Sequence, residues 1–176
     1  MMRALPALAL LLVASAAAAQ TRHNSNAPID FAANYIELQD RANRAILSGA
    51  VNVRQAEMTL TAARMTVAYT GQVVNGSPQV SRLDASGGVT VTRPDQKARS
   101  QYAVYDLNRH VITMLGGVTL DQGGNTVSGG RLTINLDTGR ALIDGASAGG
   151  SVKAPDGTVT QSGGRVTGRF SVPNRN

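Results

Sequence analysis

The chain of 176 residues has no cysteine and no tryptophan, and aromatic residues make up only 3% of it. Without thiols there is no disulfide framework, no cysteine nucleophile, no Cys-ligated zinc and no iron–sulfur chemistry. Charged residues are also sparse, at 16% against roughly 25% in an ordinary soluble domain. Acidic residues are the scarcer sign, 11 against 17 basic ones, for a formal net charge of +6. A disordered polyelectrolyte is thereby excluded, and the length suits one domain with a real core rather than a multidomain enzyme. What the chain does contain is aliphatic mass and turn-formers. Hydrophobic residues reach 42%, nearly all Val, Ile, Leu, Met and Ala, alongside 19 glycines.

Only one long apolar run is present, and it lies at the very start. Residues 1–19 (MMRALPALALLLVASAAAA) carry the basic Arg3, an apolar stretch from Ala4 to Ala14 and a small-residue end at Ala17-Ala18-Ala19. This is the three-part pattern of a secretory signal peptide cut before Gln20. The competing reading, a membrane anchor, is disfavoured because the apolar stretch is about half of the ~20 residues that span a bilayer. Export without disulfides fits a bacterial periplasm. Residues 20–27 (QTRHNSNA) read as a disordered lead-in.

From Pro28 onward the dominant pattern has period two. It runs through Ala45/Leu47, Val51/Val53, Met58/Leu60, Met65/Val67/Tyr69, Val89/Val91, Tyr102/Val104, Ile112/Met114, Val118/Leu120, Leu132/Ile134/Leu136 and Val166/Gly168/Phe170/Val172. Apolar residues alternating with Thr, Asn, Arg and Gln predict strands with one buried and one wet face. Turn chemistry separates the runs at Asn75-Gly76-Ser77-Pro78, Arg93-Pro94-Asp95, Gln122-Gly123-Gly124-Asn125, Asp137-Thr138-Gly139 and Pro155-Asp156-Gly157. Residues 55–66 contain helix formers, but their Thr content and alternation favour strand. The fold class expected is all-β and antiparallel. A weak repeat, glycine followed by a Val-rich strand, recurs at Gly49, Gly88, Gly117 and Gly150. Its uneven spacing argues against a parallel β-helix and for strands folded over on themselves.

The inward-facing positions are aliphatic and include Met58, Met65 and Met114, whose flexible thioethers adapt to a mobile guest. They suit either a plain sandwich core or a greasy slot for acyl chains. Arg41, Arg44, Arg54, Arg64, Lys97, Arg99, Arg109, Arg131 and Arg140 fall at strand ends or on the wet face, as a solvated surface or as attraction for anionic head groups. Nucleic acid is not an expected partner, because there is neither a basic run nor an aromatic stacking platform. Chemistry is poorly provided for. His23 and His110 are far apart and have no metal-ligand spacing, no G-x-S-x-G elbow supports a Ser/His/acid set around His110, and Asp84, Asp95, Asp106 and Asp121 sit mostly in or beside turns. No catalytic residue, metal or cofactor is assigned.

An ordered string of short motifs carries a family resemblance. Pro28-Ile29-Asp30-Phe31 with Ala33 leads to Leu47-Ser48-Gly49-Ala50-Val51-Asn52-Val53 and Met58-Thr59-Leu60-Thr61-Ala62. Then follow Tyr105-Asp106, Met114-Leu115-Gly116-Gly117-Val118-Thr119-Leu120, Asn125-Thr126-Val127-Ser128-Gly129 with Leu132-Thr133-Ile134, and Ala141 before Gly145. In this order, over residues 28–145, the chain resembles the periplasmic LptA/OstA-like proteins of lipopolysaccharide transport. Two positions depart from the family pattern: Ala63-Arg64 where an acidic residue is frequent, and Gly117 where Asn is.

The resemblance implies an open, twisted antiparallel β-jellyroll, V-shaped, with its domain at residues 28–172 and a flexible terminus at 173–176. It also implies a non-enzymatic role: a bridge module carrying lipopolysaccharide, or an equivalent acylated glycolipid, from inner to outer membrane. Partners would be an inner-membrane LptC-like export complex and an outer-membrane LptD-like translocon, with head-to-tail self-association. On this reading Ile29, Phe31, Leu47, Val53, Leu60, Val91, Met114 and Leu120 line or border an apolar trough. Ile29, Phe31, Ala33, Val166 and Phe170 mark the edge strands offered to partners, since open edges are templates for strand addition. The alternatives are an exported structural scaffold with a closed core and no ligand, and a hydrolase dependent on His110.

Overall fold

The computed structural model describes residues 23–71, 76–145, the short strands at 152–153 and 159–160, and residues 165–170. The expected signal peptide, the 173–176 terminus, Gly150 and the Pro155-Asp156-Gly157 turn lie outside the described residues. Among the described residues twelve strands follow one another: β1 (Ile29–Ala32), β2 (Tyr35–Gln39), β3 (Arg44–Gln55), β4 (Met58–Thr70), β5 (Gln79–Arg93), β6 (Gln96–Asp106), β7 (Val111–Gln122), β8 (Asn125–Asn135), β9 (Ala141–Asp144), β10 (Val152–Lys153), β11 (Val159–Thr160) and β12 (Thr167–Arg169). A single 3-10 turn at Asp40–Ala42 is the one helical element among the described residues. All pairings are antiparallel. β10 and β11 form a small ladder of their own, and the rest make a ten-stranded meander.

The six central strands, 11 to 15 residues each, are longer than the usual five or six, and each is interrupted near its middle. On β3, β5 and β7, the pairs Gly49–Ala50, Gly87–Gly88 and Gly116–Gly117 break the ladder. Each pair carries one residue more than the strands alongside, where Ala63, Gln101 and Gly130 stand at the same level. These are β-bulges, and both residues of every pair have positive φ. Aligned from strand to strand, they form a crease across the whole sheet. Gly87 shows why a side chain is excluded there: at φ +82° a Cβ would also stand 2.8 Å from the Cβ of Ala63.

The crease divides the sheet into two leaves. The first holds the Val51–Gln55, Met58–Ala62, Val89–Arg93, Gln96–Ser100, Val118–Gln122 and Asn125–Gly129 halves, with β1 and β12 at its edges. The second holds the other halves, with β2 and β9 at its edges. Inward residues of both leaves merge into one core, from Leu47, Met65, Ile112, Met114 and Leu132 in the second leaf to Val53, Met58, Leu60 and Val91 in the first. Among the described residues no helix or second large sheet covers these side chains, so the two leaves cover one another.

Three expectations are corrected. The Tyr102/Val104 run does not mark the buried face of β6: the alternation changes phase at Gln101, where the strand crosses the crease, so Ala103 and Tyr105 point inward and Tyr102 is 56% exposed. The recurring glycines do not precede strands: Gly49, Gly88 and Gly117 lie inside β3, β5 and β7, where the backbone must bend. Residues 23–27, expected within a disordered lead-in, are tied down. His23 is buried at 5% exposure, and the Gln55 amide donates to the carbonyls of Ser25 (2.9 Å) and Ala27 (3.0 Å). A short polar segment is ordered because the outermost inward position of β3 is itself a buried amide that requires acceptors.

Candidate functional site: the space between the leaves

The inner face consists of positions selected by strand alternation. On β3 these are Ala45 and Leu47, then Val51, Val53 and Gln55; on β5 they are Leu83 and Ala85, then Val89, Val91 and Arg93. Of the residues expected to line a trough, Leu47, Val53, Leu60, Val91, Met114 and Leu120 meet in this one core. Their exposures run from 0% for Leu47 and Met114 to 7% for Leu120. Ile29 packs half-buried against the same cluster, and Phe31, paired opposite inward-facing Val53, lies on the same face of the outer strand and is 45% exposed there. In this structure the lining is shut by its own side chains.

Where the leaves meet opposite the crease, their lips are joined by polar groups. Tyr105 on β6 donates its hydroxyl to Oε1 of Gln55 at 2.6 Å. Burial pushes the Tyr105 phenol up to about 12, with the Asp137 charge adding to the shift and the Gln55 bond opposing it. Residues 23–27 lie across this seam as a strap. His23 Nε2 contacts Gln55 Oε1 (3.3 Å), its Nδ1 contacts Glu57 Oε1 (3.2 Å), and Ser25 Oγ donates to Asp137 Oδ1 (3.1 Å). His110 Nδ1 stands 2.9 Å from the same carboxylate, and this contact leads the causes that hold the Asp137 carboxyl below its ordinary range. The serine hydroxyl addresses the acid and not the imidazole. A nucleophile–base contact, which would activate that oxygen, is therefore not made here.

The two sides of the meander are open. Among the described residues β1 and β2 pair only with β3, and β9 and β12 only with β8. Large exposed apolar side chains gather on or beside these outer strands: Phe31, Tyr35, Ile36 and Leu38 on one side, Leu142 with Val166 and Phe170, which flank β12, on the other. Ala33 follows β1 and is half-buried against the core. The sequence reading named Ile29, Phe31, Ala33, Val166 and Phe170 but not Tyr35, Ile36 and Leu38. Their alternation is masked because Tyr35 and Leu38 fall on opposite faces of a short strand, both exposed.

All nine basic residues placed on the wet face or at strand ends are exposed. Arg99 pairs with Asp121 at 2.7 Å, and the overlooked Arg82 pairs with Asp84 at 2.7 Å. Arg93 is the exception among the described arginines, buried at 7% exposure. The signal was available in the run Val89, Val91, Arg93, whose alternation directs all three to one face. No group of three or more potential metal ligands occurs among the described residues.

Comparison with known proteins completes the description. Residues 31–140 match the model of the family described as LptA/(LptD N-terminal domain) LPS transport protein. A protein of Rhizobium meliloti (strain 1021), named uncharacterized protein R00383, is 32% identical over 162 residues, spanning 85% of this chain and 86% of its own. Among solved structures, the fold is similar to that of LptH from Pseudomonas aeruginosa. LptH is described as the LptA homologous periplasmic component of the conserved lipopolysaccharide transport device. The TM-score is 0.67 and the identity 20%, with 85% of this chain and 99% of that one covered.

Proposed function

The chain belongs to the LptA/(LptD N-terminal domain) LPS transport protein family, and we propose that it is a non-enzymatic periplasmic bridge module. It carries lipopolysaccharide, or an equivalent acylated glycolipid, toward the outer membrane between its two leaves. The observation that carries this reading is a continuous aliphatic inner face, six strands wide, bounded at both sides by open strands with exposed apolar side chains. A twelve-carbon acyl chain costs on the order of 10 kcal/mol to hold in water, at about 0.8 kcal/mol per methylene. A lipid with several such chains does not cross an aqueous gap by desorption at a useful rate. An apolar passage removes the barrier, provided that successive modules hold the lipid about equally well.

Continuity of the passage requires that modules join edge to edge. β1 with β2, and β9 with β12, offer unpaired backbone groups for strand addition by LptC-like or LptD-like partners or by a second copy. Such a joint is heterologous and extends head to tail. Entry of an acyl chain requires the leaves to part at their lips, because Leu47, Met114 and Leu60 are sealed in the closed form.

That sealed core also favours a second reading, an exported scaffold with no ligand. A fluorescent acyl-lipid displacement assay separates the two. Saturable binding, together with lipid adducts from photo-crosslinkers at Phe31 and Met114 in living cells, is the expected result. Absence of saturable binding would leave the scaffold.

A further inference from the structure

Arg93 closes β5 in the same inward register as Val89 and Val91, and its Nε and Nη1 are buried without a hydrogen-bond partner. Beside it, Gln96 opens β6 directly opposite in the ladder and is likewise buried, at 8% exposure, with Oε1 unpartnered. Together with Gln55 and Met58 they form the inward rim of the first leaf, Gln55 facing Met58 and Arg93 facing Gln96 in the pairing. The two halves of this rim differ. Gln55 is fully engaged by Tyr105, His23 and the strap carbonyls, whereas Nε and Nη1 of Arg93 and Oε1 of Gln96 are buried with no hydrogen-bond partner, each other included.

A buried guanidinium is never neutral and is costly to hold unpaired. Among the described residues no carboxylate forms an ion pair with it: Asp121 is held by Arg99 and Thr126, Asp84 by Arg82, and Glu57 contacts His23. A residue retained in that condition is explained by a counter-ion that comes with a ligand. The donor set defines the ligand's chemistry. Arginine matches the oxygens of phosphate, and the free amide oxygen of Gln96 takes a hydroxyl proton from beside the anion.

We propose that Arg93 and Gln96 form an internal anion receptor at the lip of the first leaf, for a phosphate-type oxyanion borne next to a hydroxyl, as on a phosphorylated sugar. Resting on the transport reading above, the receptor takes the head group of the lipid whose acyl chains lie among Met58, Leu60 and Val91. It thereby fixes which end of the cargo stands at the lip.

The test measures three probes against the full chain: a diacylated glucosamine phosphate, the same glycolipid without phosphate, and inorganic phosphate. Wild type, Arg93→Met and Arg93→Lys are compared. Charge-assisted hydrogen bonds of this kind set the expected preference of wild type for the phosphorylated glycolipid at about tenfold or more. Arg93→Met abolishes that preference without weakening the unphosphorylated probe, Arg93→Lys retains part of it, and ligand-free Arg93→Met melts at a higher temperature than wild type. Equal binding of both glycolipids by wild type overturns the receptor while leaving the transport reading intact. So does a preference unchanged by Arg93→Met, and a lowered melting temperature assigns Arg93 a structural role instead. If wild type binds neither glycolipid, the transport reading fails. Arg93-dependent thermal stabilisation by inorganic phosphate then supports a receptor for the free anion, and its absence removes the receptor too.

Discussion

Tyr105 and Gln55 are 50 residues apart in the chain and belong to opposite leaves, yet the phenol donates to the amide oxygen at 2.6 Å within a buried seam. The same amide reaches outward to two carbonyls of the strap. One glutamine therefore links the second leaf, the first leaf and the N-terminal segment. The sheet is a single layer whose stability depends on keeping its halves together, so this junction acts on the fold and on access to the core alike.

Unequal costs are expected at the two ends of that bond. Tyr105→Phe removes one donor and costs about 1 kcal/mol, since Gln55 retains its other partners. Gln55→Ala leaves a buried phenol and two strap carbonyls unmatched and costs about 2–3 kcal/mol. Urea denaturation of both variants checks the order.

The raised Tyr105 pKa makes stability fall in alkali. Folded, the phenol titrates near 12; unfolded, it titrates near its ordinary value of 10. The contribution is fully present below pH 10 and is lost as pH rises from there through 12, by roughly 2 kcal/mol. Denaturation midpoints between pH 9 and 12, compared with Tyr105→Phe, report it; a variant with the same slope as wild type would contradict the assignment.

At the acid end the strap is the sensitive element. The Asp137 carboxyl, lowered first by His110 and also by Ser25, contributes stability above the ordinary carboxylate range and loses it as pH falls through the lowered value. Amide exchange at Ala27, whose N–H donates to Asn24 O at 3.1 Å, is expected to accelerate in Asp137→Asn at neutral pH and in wild type only in acid.

The crease makes neighbouring glycines unequal. Gly88→Ala meets open space and incurs only the cost of a positive φ, about 1 kcal/mol. Gly87→Ala adds a 2.8 Å approach to the Ala63 Cβ and is expected to cost clearly more, about 2–3 kcal/mol. Thermal melts of the two variants suffice, and equal losses would mean that the crease flexes.

Edge charges are expected to separate assembly from folding. Ile36→Lys with Phe170→Asp replaces exposed apolar groups on the two outer sides, so stability changes by no more than about 0.5 kcal/mol per site. On the proposed head-to-tail joint, sedimentation should show self-association in wild type and its loss in the double variant. Association that persists would place the joint elsewhere.

Much of the architecture is legible from alternation alone. Period-two runs separate one face from the other, and the turns at Pro94-Asp95, Gly123-Gly124 and Thr138-Gly139 fall between strands as their residues require. Less legible is that paired runs are single strands. Met58/Leu60/Ala62 and Met65/Val67/Tyr69 are out of phase by one residue, which reads as two strands in sequence. In the structure it is one strand, β4, passing Ala63 where its neighbours carry an extra residue. The hairpin at Ala56–Glu57 escaped notice for a local reason: a positive φ of 48° falls on alanine, which carries no turn signature.

By itself the sequence determined the all-β class, the buried face of most central strands and the aliphatic character of the interior, because side-chain period and turn chemistry act over a few residues. Only the tertiary structure decided which faces meet. The crease brings the leaves together, Tyr105 reaches Gln55, His23 is drawn into the seam, and Arg93 is buried with its Nε and Nη1 unpartnered. Those outcomes depend on contacts between residues tens of positions apart, which no local pattern encodes.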